Sequence, residues 1–159
     1  MNALHRGFTL VELLTVLAIL AILTTISVPS LREFVQAGQM RSAAFDLVVD
    51  LSYARSEAIK RNADVVVEQI TVGAWEGGWR VRGGTDTDAP VLRERSGITG
   101  QVRVDAGVNS LTFGGNGRLQ GVDGVTTIEI CPPGGMSVAA RAVQIQLTGM
   151  ARSVKGTCA

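Results

Sequence analysis

Residues 7–30, GFTLVELLTVLAILAILTTISVPS, decide how the rest of the chain is read. From Leu10 to Val28 the only charge is Glu12. As a helix that run reaches about 28 Å, close to the hydrocarbon thickness of a bilayer. A carboxylate inside such a span costs roughly 2.5–3.5 kcal/mol at its centre and less near its end. Either Glu12 has a partner, or it sits harmlessly at headgroup level, or the segment is not a membrane helix. A secretory signal peptide is the competing reading, but its apolar core is usually about 7–15 residues and closes on a small-residue cleavage site. This run is longer and leads into more helical pattern, so it reads as a membrane anchor. His5 and Arg6 precede it and favour a cytoplasmic N-terminus, leaving the remainder on the outer side, the periplasm of a bacterium.

Beyond Pro29 the pattern turns amphipathic. Ala37, Met40, Ala44, Leu47, Leu51, Ala54 and Ala58 recur three and four residues apart, one stripe of a helix. Arg41, Asp46, Asp50, Arg55 and Glu57 fall mostly off that stripe. Lys60 and Arg61 suit the last turn, and Asn62 is a stop. The stripe is mainly alanine and leucine, so a flat sheet can pack closely on it. From Val65 onward the signals are those of strands. VVVEQITV, GGWRVRGG, ITGQVRVD, NSLTF, VTTIEIC and AVQIQLTG follow at short intervals between Gly, Asp and Pro. They predict an antiparallel sheet of about six or seven strands. TDTDAP is the expected exposed loop, and TGMARSVKG a loop carrying positive charge.

Gly7-Phe8-Thr9-Leu10-Val11-Glu12-Leu13 resembles the class III signal of type IV pilins and type II secretion pseudopilins. The resemblance implies that a membrane prepilin peptidase cuts between Gly7 and Phe8, releasing MNALHRG, and that Phe8 is then N-methylated. Such a cut would create an amine four residues before Glu12, on the same helix face. Carboxylate and ammonium would neutralise one another within a chain or between neighbours, making Glu12 an assembly residue. Pro29 fits the same family. SYARSEAIKRNADVVVE and LTFGGNGRLQG are similar to the helix end and hairpin of minor pseudopilins of the GspH/FimT type. The implied fold is α+β: leader 1–7, transmembrane helix 8–29, amphipathic helix 30–62, and a β-sheet domain over 63–159. The implied function is a structural subunit that initiates or caps a type IV pilus or type II secretion pseudopilus. Its partners would be prepilin peptidase, other pilins or pseudopilins, and the inner membrane. A plain single-pass protein with a periplasmic domain would instead show no cleavage at Gly7.

Several functions lack their residues. The one histidine is His5, the acids are scattered without pairing cues, and no G-x-S-x-G occurs, so no catalytic constellation, metal site or cofactor site is read. GGNGRLQG does not meet the spacing of a dinucleotide loop. Cys131 and Cys158 are the only cysteines; the compartment and the even count favour a disulfide, with two free buried thiols the alternative. After Glu129 no acidic residue follows, whereas Arg141, Arg152 and Lys155 do. Relatives serving DNA uptake carry a C-terminal G-R-x-R motif. Here the matching stretch is Gly149-Met150-Ala151-Arg152, so one arginine is kept and Met150 replaces the other. Sequence-independent binding of double-stranded DNA through Arg141, Arg152 and Lys155 is thus the alternative function, against a solvated strand end.

Overall fold

The computed structural model of the chain describes residues 8–98, 102–134 and 138–158. It divides into two compact units, residues 1–35 and 36–159, and one helix, α1 (Leu10–Arg61), contributes to both. In the first unit the helix starts at a cap. The Thr9 hydroxyl oxygen accepts the Glu12 N–H at 3.2 Å, and the Thr9 carbonyl accepts the Leu13 N–H at 3.2 Å. Thr-x-x-Glu is the sequence form of a capping box. Its glutamate belongs near the positive end of a helix dipole, which offsets part of its cost.

Several hydroxyl side chains of this unit bond locally. The hydroxyls of Thr15, Thr24, Thr25 and Ser30 donate to the carbonyls of Glu12, Ala21, Ile22 and Ser27 at 2.7–2.9 Å. They therefore demand no outside partner in an apolar medium. Pro29 lies inside α1.

In the second unit α1 buries Met40, Ala43, Ala44, Leu47, Leu51, Ala54 and Ala58, while Ala37 is only half-buried. The helix ends in a Schellman cap: Asn62 takes φ 48°, the Asn62 N–H donates to the Ile59 carbonyl, and the Ala63 N–H donates to that of Ala58.

Among the described residues nine strands follow: β1 (Val65–Thr71), β2 (Ala74–Arg82), β3 (Val91–Ser96), β4 (Arg103–Ala106), β5 (Ser110–Phe113), β6 (Leu119–Gln120), β7 (Thr126–Cys131), β8 (Arg141–Ile145) and β9 (Ala151–Lys155). They form two antiparallel sheets, β3-β2-β1-β5-β6 and β4-β7-β8-β9, rather than the one sheet of six or seven strands expected. The expectation failed where apolar alternation is missing. β3 reads VLRERS and β9 reads ARSVK, both at sheet edges, so TGMARSVKG contains a strand and is not a loop.

Cross-strand register places Val65, Val67, Trp79, Val81, Leu111 and Phe113 on one face of the five-stranded sheet. These join the helix stripe and Ile128, Ile130, Val143 and Ile145 of the other sheet in one core. GGNGRL forms the β5–β6 turn, with Gly117 at φ 74°. TDTDAP is mostly exposed.

Cys131, the last residue of β7, is bridged to Cys158, 27 residues later. Beside the bridge, Thr157 donates its N–H and hydroxyl to the Glu129 carboxylate at 3.3 and 2.9 Å. In the chain-entropy model a loop of this size contributes about 3–4 kcal/mol. Cys158→Ser should lower the melting temperature accordingly, and reductant should then have no further effect on the variant.

Candidate functional site

Three places come into question, and only the first two hold residues singled out from the sequence. In the first unit, Leu10, Val11, Leu13, Leu14, Val16, Leu17, Ile19, Leu20, Ile22 and Leu23 are each at least 50% exposed. An apolar surface of that extent marks a membrane or a partner. Its most apolar 18-residue window has a mean hydropathy of 2.3 and is wholly unburied. Phe8 is 82% exposed, and Glu12 is exposed with no ion-pair partner among the described residues. Gly7, the expected cleavage position, lies outside the described residues.

The second place is the β8–β9 hairpin. Arg141 pairs across the strands with Lys155, and Gln144 with Arg152, whose guanidinium donates to the Gln144 side-chain oxygen at 3.1 Å. Residues 152 and 155 are three apart on a strand whose side chains alternate, so they point to opposite faces. The register thus brings Arg141 and Lys155 together and separates Arg152 from both.

Gly149 has a conformational reason to be glycine. It takes φ 78° in the turn, and a Cβ there would fall on the Gly117 carbonyl oxygen and against the Arg55 side chain. Gly149→Ala is expected to cost about 1–3 kcal/mol, read as an earlier unfolding midpoint.

The third place was not legible as a site. Asp50, read as lying off the buried stripe, is fully buried inside it. Its carboxylate accepts from Trp79 Nε1 at 2.9 Å, Arg95 Nε at 2.7 Å and Arg93 Nη1 at 2.9 Å. Register explains the convergence. Arg93 faces Val81 and Arg95 faces Trp79, so both arginines occupy helix-facing positions of β3. Arg93 also stacks over the Tyr53 ring, 4.1 Å from its centroid, and Arg95 reaches Asp46 at 3.4 Å. Burial pushes the Asp50 carboxyl up, but hydrogen bonds from Arg95, Arg93 and Trp79 outweigh it and hold the group below the ordinary carboxylate range. This cluster ties an edge strand to α1. It contains no nucleophile–base pair, and its acid is fully occupied by donors.

Glu129, Cys131 and Cys158 lie close enough together to suggest a metal centre, but both sulfurs are spent on each other. No thiolate is free to ligate.

The chain matches the family model described as Type II transport protein GspH over residues 43–149, and the prokaryotic N-terminal methylation motif over residues 2–28. Over 70 residues it is 43% identical to the pilin-like protein PilA1 of Thermus thermophilus, a match covering 44% of each chain. The match thus spans less than half the length of that relative. The crystal structure of the type IV minor pilin FimU of Pseudomonas aeruginosa superposes with a TM-score of 0.62 at 25% identity, covering 78% of this chain and 92% of that one. The minor pseudopilin EpsH from the type 2 secretion system of Vibrio cholerae superposes with a TM-score of 0.57 at 15% identity, covering 74% and 97%. That second likeness is one of fold.

Proposed function

Because the chain belongs to the GspH family and is a minor pilin or pseudopilin of that kind, we propose that it enters its filament after cleavage between Gly7 and Phe8. Prepilin peptidase makes the cut, and Phe8 is then N-methylated. The apolar part of α1 holds the subunit in the inner membrane, with the sheets on the periplasmic side. There it joins other pilins or pseudopilins and initiates or caps the filament. The observation that carries this reading is the contrast along α1. Residues 10–23 expose every large apolar side chain, whereas from Met40 onward the apolar stripe is buried by the subunit's own sheets. The exposed portion is available to lipid before assembly and to neighbouring helices afterwards.

The amine on Phe8 and the carboxylate of Glu12 stand at i and i+4, and pair either within the subunit or across to a neighbour. Mass spectrometry of the membrane-extracted protein tests the processing. The expected species begins at Phe8 and carries one methyl group; an intact leader would overturn it.

Capture of double-stranded DNA is the second reading. It is supported by the exposure of Arg152 and Lys155, which have no carboxylate partner among the described residues. Their placement on opposite faces limits one duplex to one or two of these phosphate contacts, too few for useful affinity at physiological salt. A gel shift of the full chain over a salt series is therefore expected to show weak retention, little changed by Arg152→Ala with Lys155→Ala. Retention that falls steeply with salt and is abolished by the double change would favour DNA capture.

A further inference from the structure

Between the second-unit part of α1 and the β8–β9 turn lies a cleft of ≈ 320 Å³ whose lining includes Ser52, Arg55, Ser56, Ile59, Met150 and Ala151. Among the described residues, Arg55 is its only charged wall. This residue is half-buried, and its Nε–H donates to the Gly117 carbonyl at 3.1 Å. The bond restrains the guanidinium at one edge, and both terminal nitrogens are without a carboxylate among the described residues. By contrast Arg61, Arg80, Arg82, Arg93 and Arg95 are each matched to a carboxylate. A guanidinium drawn partly out of water and left unmatched is electrostatically incomplete. The floor of the cleft is small and quiet. The hydroxyls of Ser52 and Ser56 already donate to the carbonyls of Val48 and Ser52, at 2.8 and 2.9 Å. Two apolar rims flank it, Ile59 at 50% exposure and Met150 at 59%.

We propose that this cleft docks an acidic side chain of a neighbouring filament subunit, an aspartate or glutamate flanked by an apolar residue. The carboxylate pairs with the terminal nitrogens of Arg55, and the apolar neighbour fits between Ile59 and Met150. The inference rests on the filament-subunit reading and adds the chemistry of the partner. A planar guanidinium held at one edge is set to receive a carboxylate through two parallel N–H···O bonds. A nucleic-acid phosphate fits less well, since the lining has a single cation and two apolar rims, where a phosphate track needs several cations.

The test uses the full-length chain expressed in its own membrane, with incorporation read in the sheared filament fraction. Arg55→Gln removes the charge but also disturbs the bond to Gly117. Ser52→Glu leaves that bond alone and places a carboxylate three residues before Arg55, where it fills the guanidinium from within. Both variants are expected to be processed normally and to melt close to wild type. Their incorporation should fall by at least about tenfold, the scale of one lost charge-assisted pair. Arg55→Lys should recover part of it. Wild-type incorporation of Ser52→Glu overturns the proposal, and so does a loss of DNA retention with incorporation unchanged. Absence of the wild-type chain from filaments overturns the filament reading and this one together; normal entry of both wild type and Ser52→Glu overturns this one alone.

Discussion

Glu12→Ala is expected to leave cleavage after Gly7 intact while reducing incorporation into filaments by at least about tenfold, the factor that each 1.4 kcal/mol carries. The two roles of Glu12 separate cleanly. Its backbone N–H closes the Thr9 cap at 3.2 Å, and alanine keeps that N–H, so this bond survives the change. What alanine removes is the carboxylate, exposed near the apolar end of α1 and without an ion-pair partner among the described residues. Glu12→Gln then distinguishes the two remaining explanations. A glutamine can still reach back to the Thr9 N–H in a capping box but cannot neutralise an amine. If glutamine restores incorporation, the cap matters and the charge does not. If it fails as alanine does, the pairing with Phe8 stands. The readouts are mass spectrometry for processing and quantitative blotting of sheared filaments for incorporation.

Asp50→Ala is expected to have the largest effect on stability, about 3–5 kcal/mol, because removing one partner of a buried charge cluster strands the others. The side chain is 1% exposed, and the Trp79 N–H would lose its acceptor, as would Arg93 and Arg95 on β3. Thermal unfolding followed by tryptophan fluorescence reads the loss directly. The same cluster fixes the sign of the acid response. The Asp50 carboxyl is held below its ordinary value in the folded chain, so the unfolded chain takes up the proton more readily. The stabilisation is therefore present above the unfolded value, near pH 4, and is lost as pH falls through the lowered folded value. Asp50→Asn should flatten that acid limb.

How much of this was legible follows from what each segment does in physical terms. The span, the amphipathic stripe, the β5–β6 hairpin and the cysteine pair all carry one-dimensional signals: an apolar run, a 3.6-residue period, a glycine-rich turn, an even count. The sequence therefore exposed the helix, the hairpin and the family resemblance. β3 carried no such signal, because its helix-facing positions are Arg93 and Arg95. Only the three-dimensional approach of Asp50 makes arginine acceptable there. Asp50 was misread for the matching reason, since a charge within an apolar stripe looks displaced until its partners arrive from a strand more than forty residues away. Thr9 could have been found from the T-x-x-E spacing alone, but the apolar run beside it dominated. The separation of Arg152 from Arg141 and Lys155 became readable once β9 was recognised as a strand, because side-chain alternation then assigns the faces.

The bridge between Cys131 and Cys158 has a mechanical consequence. β9 is an edge strand, the kind that usually gives way first when a domain is pulled, by unzipping one bond at a time. Here it is held at one end by the tight turn at Gly149 and, three residues past Lys155, by a covalent link back to β7. Tension applied at the C-terminal end passes through the bridge straight to β7, so β9, inside the closed loop, is not peeled away by it. A protease cut anywhere in the intervening loop leaves two pieces that still travel as one until a reductant parts them.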